Sequence, residues 1–271
     1  MKPLAAIIAA AGLSSLCTWP AVAEDKDTRL VAGIQDNSCL VEEAYNQEPG
    51  VVQHIGCLRR QGRDWFFAFT QEWPLGSQSH QLSYTVPYSW LRSDGQNAQG
   101  IGDVMLNYRY QAIYESATAP AFAPRVSLIL PTGNWEKGTG NGSSGYQVLL
   151  PFSKIVSDRV TLHANAGVTS YFDVQGRKPT SYLLGASVIY AVTRDFNLMF
   201  ESLHEWSESV NEEREIEREK SFTISPGVRY AFNLPAGQLV VGAGVPTRFI
   251  KGASPDYGIM LYTSFEHNFL K

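Results

Sequence analysis

Between Arg159 and Thr169 the side chains alternate without a break. Val160, Leu162, Ala164, Ala166 and Val168 fall on one parity; Thr161, His163, Asn165, Gly167 and Thr169 fall on the other. Successive side chains of a strand leave opposite faces, so this segment has one greasy face and one wet face. Segments of this kind recur along the chain. Closed into a sheet, with tight turns at one end and longer polar loops at the other, they form the pattern of a transmembrane β-barrel.

The first residues read as an export signal, residues 1–23. Lys2 precedes an apolar stretch from Leu4 to Leu16, and Ala21-Val22-Ala23 stands ahead of Glu24-Asp25. A membrane-anchoring helix needs about 20 apolar residues, and Thr18 and Pro20 interrupt this one. Lipid attachment at Cys17 is disfavoured by the bulky Leu16, where lipoprotein signals carry a small residue. Beyond residue 23 no apolar run is long enough for a spanning helix, and the mean hydropathy is only -0.16. A barrel evades that test because half of its strand residues face water or the lumen.

Removing the signal takes away Lys2 alone among charged residues, so the net charge of -4 becomes more acidic by one, which argues against nucleic acid as a partner. Cys39 and Cys57 then remain, and an even pair in an exported chain is most simply a disulfide that pins the N-terminal segment to the first strand. No cysteine or histidine spacing indicates a metal site, so no metal and no cofactor is expected.

The expected fold is all-β, an antiparallel up-and-down transmembrane barrel over residues 51–271. About twelve strands are placed near residues 51–60, 64–73, 79–90, 102–114, 121–131, 145–155, 159–172, 180–192, 195–206, 220–232, 238–250 and 257–269. Short connections at 157–159, 193–195 and 233–237 alternate with longer ones at 132–144, 173–179 and 207–219. That rhythm and the even strand number put both termini in the periplasm. Pro226 lies within a strand on the outward parity, where a ladder donor is lost, and a local bulge would accommodate it.

Parity also assigns the faces. Leu82, Tyr84, Val104, Leu106, Tyr108, Tyr146, Phe152, Leu261 and Phe265 point outward. Arg109, Arg125, His163, Tyr171, Glu201, Arg229, Arg248 and Glu266 point into the lumen. Arg or Lys facing lipid at mid-bilayer would cost about 2–4 kcal/mol each, so their shared parity fixes the orientation. Read as function, these charges line a solute pathway. Read as structure, Glu201, Arg229, Arg248 and Glu266 neutralise one another across neighbouring strands and fill a narrow interior. Residues 24–50 do not alternate. They form either a periplasmic tail, the default for a terminus that is not tied down, or a plug in the lumen, which a Cys39–Cys57 bond would favour. The acidic run from Glu205 to Lys220 reads as a flexible, solvated external loop.

Three stretches carry a resemblance. Gly100-Ile101-Gly102-Asp103 runs into the strand Val104–Tyr110, Leu130-Pro131-Thr132-Gly133 is followed by Gly138-Thr139-Gly140-Asn141-Gly142-Ser143, and Leu162–Val168 opens after a turn. In this order they resemble the outer-membrane transporter family named for the MetA pathway of phenol degradation, clearest over residues 100–172. The resemblance implies an outer-membrane channel passing small, hydrophobic or aromatic organic molecules by passive diffusion. Its implied surroundings are outer-membrane lipids and lipopolysaccharide, the barrel-assembly machinery and the small organic solute. A non-conducting structural barrel is the alternative. An outer-membrane lipid hydrolase is a further one, for which His163 with Asn165 is the pair to test, Ser181 or Ser187 on the next strand being the serines within range. No catalytic residue is assigned.

Overall fold

The computed structural model describes residues 28–36, 40–92 and 97–269. The expected signal peptide, Cys39 and the last two residues lie outside them. After a short 3-10 helix (Leu30–Gly33), the chain is a succession of strands: β1 (Val51–Gln61), β2 (Asp64–Leu75), β3 (Ser77–Leu91), β4 (Ala98–Ile101), β5 (Val104–Tyr110), β6 (Ala121–Phe122), β7 (Arg125–Leu130) and β8 (Gly145–Ser157). They continue as β9 (Val160–Tyr171), β10 (Thr180–Ala191), β11 (Phe196–Val210), β12 (Ile216–Leu234), β13 (Gly237–Gly244), β14 (Thr247–Ile250), β15 (Asp256–Tyr257) and β16 (Ile259–Asn268). Four staves are built from two segments each, β4/β5, β6/β7, β13/β14 and β15/β16, so the wall has 12 staves. All pairings are antiparallel. The first strand closes the sheet on the last, from Val51 opposite Asn268 to Arg60 opposite Ile259.

Closure joins the first stave to the last, and in lipid a closed ladder is the condition for spanning with strands. The side chains follow. Leu106, Tyr108, Phe152, Leu162, Phe200 and Leu261 are exposed on the outer face, while Arg109, Gln53, Gln81, Glu201 and Asn197 are among the largest fully buried side chains. A water-soluble chain of this inside-out kind would expose its apolar surface and bury its charges. A bilayer reverses both costs.

The rim at which β1 begins and β16 ends is called the near rim below, and the opposite one the far rim. Connections at the near rim are short at Gly76, at Asp158-Arg159, across Val192–Asp195 and at Pro235-Ala236, while residues 131–144 and 172–179 form long far-rim loops. Two connections depart from the expected rhythm. The far-rim turn Gly62-Arg63 is tight, and the near-rim connection 111–120 is long.

The acidic run differs from its expectation. Instead of a loose loop, it prolongs β11 and β12 into a hairpin beyond the barrel wall, paired through Ser207 with Glu219, Glu208 with Arg218 and Val210 with Ile216. One of its cross-strand pairs joins opposite charges, with Arg218 Nε 2.8 Å from Glu208 Oε1, and Glu219 pairs with Arg248 on β14. Only residues 211–215 turn, with Arg214 at φ 63°.

No bulge accompanies Pro226. The β12 register is unbroken from Gly227 opposite Gly244 to Ile224 opposite Thr247. The interruption lies across the ladder, at Val245-Pro246 between β13 and β14, so the donor that Pro226 lacks falls where the neighbouring stave has left the sheet. Val245 N–H still reaches Pro226 O at 3.0 Å. A parallel case joins β4 and β5: they break at Gly102-Asp103 beside Pro87, whose carbonyl accepts the Gly102 N–H at 2.8 Å.

Candidate functional site: a lumen holding the N-terminal segment

The segment before β1 lies inside the barrel. Near residue 29 it touches the near-rim turns, where Val31 N–H donates to Asp158 O and Arg194 donates to Arg29 O. It rises to Asp36, which accepts from Gln53 Nε2 at 2.7 Å and from the Tyr262 hydroxyl. From Leu40 it descends again to Gly50. The free-tail expectation therefore fails for the described residues. The physical reason is a wall whose polar side chains satisfy the segment's backbone.

That satisfaction is systematic. The Leu40 and Val41 N–H groups both donate to Glu201 Oε1, at 3.1 and 3.2 Å. Glu42 donates its N–H to Asn165 Oδ1 at 2.7 Å, and Asn165 Nδ2 returns a bond to Glu42 O at 2.8 Å. Gln111 behaves alike, accepting from Asn46 N–H at 3.0 Å and donating to Ala44 O at 2.8 Å. Gln81 Oε1 accepts from Gln47 N–H at 2.7 Å. Each wall amide takes the place a neighbouring strand's peptide would fill, so a chain without a ladder of its own stays hydrogen-bonded away from water.

The charged residues expected to line a pathway now have addresses. Arg109, 2% exposed, donates to Asn46 Oδ1, Glu43 O and Tyr45 O and lies 3.5 Å from Glu72. Arg125 grips Glu42 with two parallel bonds of 2.7 and 3.1 Å, and reaches Asn107, Ser127 and Gln147. Arg229 donates to Asp36 O and Ile34 O. Mutual pairing of Glu201, Arg229, Arg248 and Glu266 is thus replaced in three particulars: Glu201 and Arg229 bond to the segment, and Arg248 pairs with Glu219 toward the far rim. Glu266 and Tyr171 line opposite cavities, Glu266 at the near rim and Tyr171 at the far side.

His163 belongs to a hoop. Register places Ser153, His163, Ser187, Glu201 and Ser225 side by side on five successive staves, all inward and buried. The Ser153 hydroxyl bridges His163 Nδ1 and the Ala44 N–H, each at 2.7 Å. Ser187 faces His163 in register as the sequence suggested, while Ser181 lies opposite Thr169. With its hydroxyl committed to the segment, Ser153 is placed to hold rather than to attack.

The interior is divided along the barrel axis. A cavity of about 830 Å³ opens at the near rim, lined by Glu43, Tyr45, Glu48, Lys154 and Glu266. Beyond the segment lies a second of about 310 Å³, with Leu40 and Glu42 as its floor and Ala68, Met105, Leu149, Leu183, Tyr262 and Arg125 in its walls. Met105 and Gln147 also line a third, of about 280 Å³, under the loop 131–144. That loop is built by the stretches singled out in the sequence. Asp103 Oδ1 accepts from Gly133 N–H at 3.0 Å and Oδ2 from Asn141 N–H at 2.8 Å. A Cβ at Gly140 would stand 2.5 Å from Asp103 Oδ1 and 2.6 Å from Gly133 Cα, so only glycine lets the loop close on the carboxylate.

Parity missed two classes of residue. The neutral clamps Gln53, Gln81, Gln111 and Ser153 carry no charge to mark them. The inward apolar residues break the alternation that hid them, and doubled positions such as Leu149-Leu150 and Leu183-Leu184 are the signal that could have found them.

Glu43 gives the segment a pH dependence. It is buried, with Asp36 and Glu266 adding repulsion and Arg109 and Arg229 opposing it, and burial is the largest cause pushing its carboxyl up to about 8. A carboxyl raised above its unfolded value binds its proton more tightly in the folded state. Stability is therefore fully present below the ordinary carboxylate range and is lost as pH rises toward 8. Proteolysis of the segment is expected to accelerate between pH 5 and pH 9, about the span from one pKa to the other, and the Glu43→Gln variant should flatten that profile.

The comparisons bear on the whole wall. No curated protein matches the sequence. Among solved structures, an outer membrane channel from Pseudomonas putida F1 superposes with a TM-score of 0.62 at 13% identity, covering 83% of this chain and 98% of the other. The NanC porin superposes with a TM-score of 0.50 at 10% identity, covering 79% and 98%. At these identities they share the fold. The family model described as "Putative MetA-pathway of phenol degradation" matches residues 54–249, from the first stave to the eleventh and through the loop built on Asp103. Most of the chain falls within that match, and the protein belongs to this family.

Proposed function

We propose that this protein is an outer-membrane channel that passes small, hydrophobic or aromatic organic molecules by passive diffusion, with its N-terminal segment as the constriction. The observation that carries the reading is the 310 Å³ cavity on the far side of the segment. Its walls join apolar groups, Met105, Leu149 and Leu183, to a few hydrogen-bonding ones, Asn107, Arg125 and Gln147. A small organic molecule with one polar group is the solute such a surface suits. The family description, which names phenol degradation, and the fold shared with an outer membrane channel from Pseudomonas putida F1 agree with this.

In this reading the near rim faces the periplasm, both chain ends lie there, and residues 1–23 are the export signal. The outer face meets outer-membrane lipids and lipopolysaccharide, and the barrel-assembly machinery inserts the chain. Cys57 is disulfide-bonded. With Cys39 as its partner, the segment is tied to the first stave.

Conductance in planar bilayers tests the proposal. The unaltered protein should give discrete current steps, benzoate added to the far side should interrupt them, and Leu183→Glu should weaken that interruption. Steps indifferent to benzoate would remove the aromatic solute from the reading. Silence of the protein both with and without the segment would make it a structural barrel.

A further inference from the structure

Closure of the sheet brings together two histidines that are far apart in sequence. His54 on β1 and His267 on β16 stand diagonally across the closing seam, where Val52 opposes His267 and His54 opposes Phe265. Their Nε2 atoms are 3.2 Å apart, the ring centroids 5.3 Å apart, and the ring planes within 17°. Both rings are half-buried on the outer face, between the rings of Phe69 and Phe265.

A second contact fixes the chemistry of one ring. His267 Nδ1 lies 3.1 Å from the carbonyl oxygen of Asn268. A carbonyl only accepts, so Nδ1 carries the proton. The Nε2 of the neutral ring then presents a lone pair to His54, the arrangement by which an outer hydrogen bond orients a metal-binding imidazole. Two nitrogens bonded to one tetrahedral zinc ion, at about 2.0–2.1 Å each, stand about 3.4 Å apart. The seam already holds them close to that bite.

We propose that His54 and His267 form a two-imidazole chelate for a borderline divalent ion of the zinc, copper or nickel class, stapling the first stave to the last. Imidazole nitrogens suit these ions. Among the described residues no group of three or more His, Cys, Asp or Glu is gathered for a metal, so water completes the coordination. The site is within reach of water because Val51 and Asn268, the last ladder pair at the near rim, are its neighbours. This revises the sequence expectation of no metal. Spacing along a chain cannot register two ligands that only barrel closure brings together.

The test is a titration of Cu²⁺ into the purified, folded full chain in detergent, followed by electron paramagnetic resonance. One bound ion per barrel with superhyperfine structure from two imidazole nitrogens is expected. His54→Gln keeps an amide donor for His267 but removes a ligand, and should weaken Cu²⁺ binding at least about tenfold. His80→Gln, which alters another outer-face histidine, should not. Zn²⁺ should raise the unfolding temperature of the unaltered chain and leave that of His54→Gln unchanged. Binding by His54→Gln with unaltered affinity, or a one-nitrogen spectrum from the unaltered chain, would overturn the proposal and leave a hydrogen-bonded histidine pair. Heat-modifiable gel migration establishes that each variant is folded, and the spectrum of the unaltered chain decides by itself should a variant fail.

Discussion

Deleting residues 28–48, with Cys57→Ser to remove the thiol left behind, should raise single-channel conductance several-fold and abolish closures. The segment separates the near-rim cavity from the cavity beyond it, and Leu40 and Glu42 are the floor of the latter. A barrel of 12 staves without that floor lies between the filled eight-stranded and the open sixteen-stranded cases, wide enough for a continuous aqueous path. The wall itself should survive, because its ladder closes from β1 to β16 without using any residue before Val51. Heat-modifiable migration checks that survival. A deletion that leaves conductance at the level of the unaltered protein would mean that the constriction lies elsewhere, with the loop 131–144 as the next candidate.

The second large effect is energetic. Arg109→Ala removes a buried guanidinium that holds three acceptors of the segment and pairs with Glu72. Breaking a buried pair by deleting one partner costs about 3–5 kcal/mol, most of it from the charge left behind. The expected result is a lower urea midpoint and rapid proteolysis between residues 40 and 50. Removing both charges, in Arg109→Met with Glu72→Gln, should recover much of the stability of the wall. It should not recover the grip on the segment, since Asn46, Glu43 and Tyr45 still lose their donor. An Arg109→Ala protein within about 1 kcal/mol of the unaltered one would show the segment to be held by its amide bonds alone.

The wall was largely legible in the sequence because one physical constraint writes it. Lipid on one side and water or polar groups on the other impose a period of two, and all twelve staves stand close to where that period puts them. Breaks inside a stave were not legible, since Gly102-Asp103 and Val245-Pro246 depend on what faces them across the ladder. Among the site residues, Arg109, Arg125, Glu201 and Arg229 face inward, the parity on which the sequence puts them, while the mutual pairing read for Glu201 and Arg229 gives way to bonds with the segment. Residues 28–36 and 40–50 have no alternation because many of their backbone bonds go to side chains rather than to a strand. A pattern that reports ladders is blind to a chain held by Asn165, Gln111 and Gln81. The acidic stretch after Glu205 looked like a loop for the opposite reason: its charges hid a ladder that sets most of its glutamates opposite serines and one, Glu208, opposite Arg218.

The inner segment enters and leaves through the same opening. Arg29 stands at the near-rim turns and Gly50 hands the chain to β1 at that rim, while Asp36 and Leu40 both bond to the inner wall. A doubled strand of this kind is a slipknot rather than a thread. Until the Cys57 disulfide forms it can be put in without passing an end through the ring, so the order of assembly is free: the staves can close first and the loop can be tucked in afterwards.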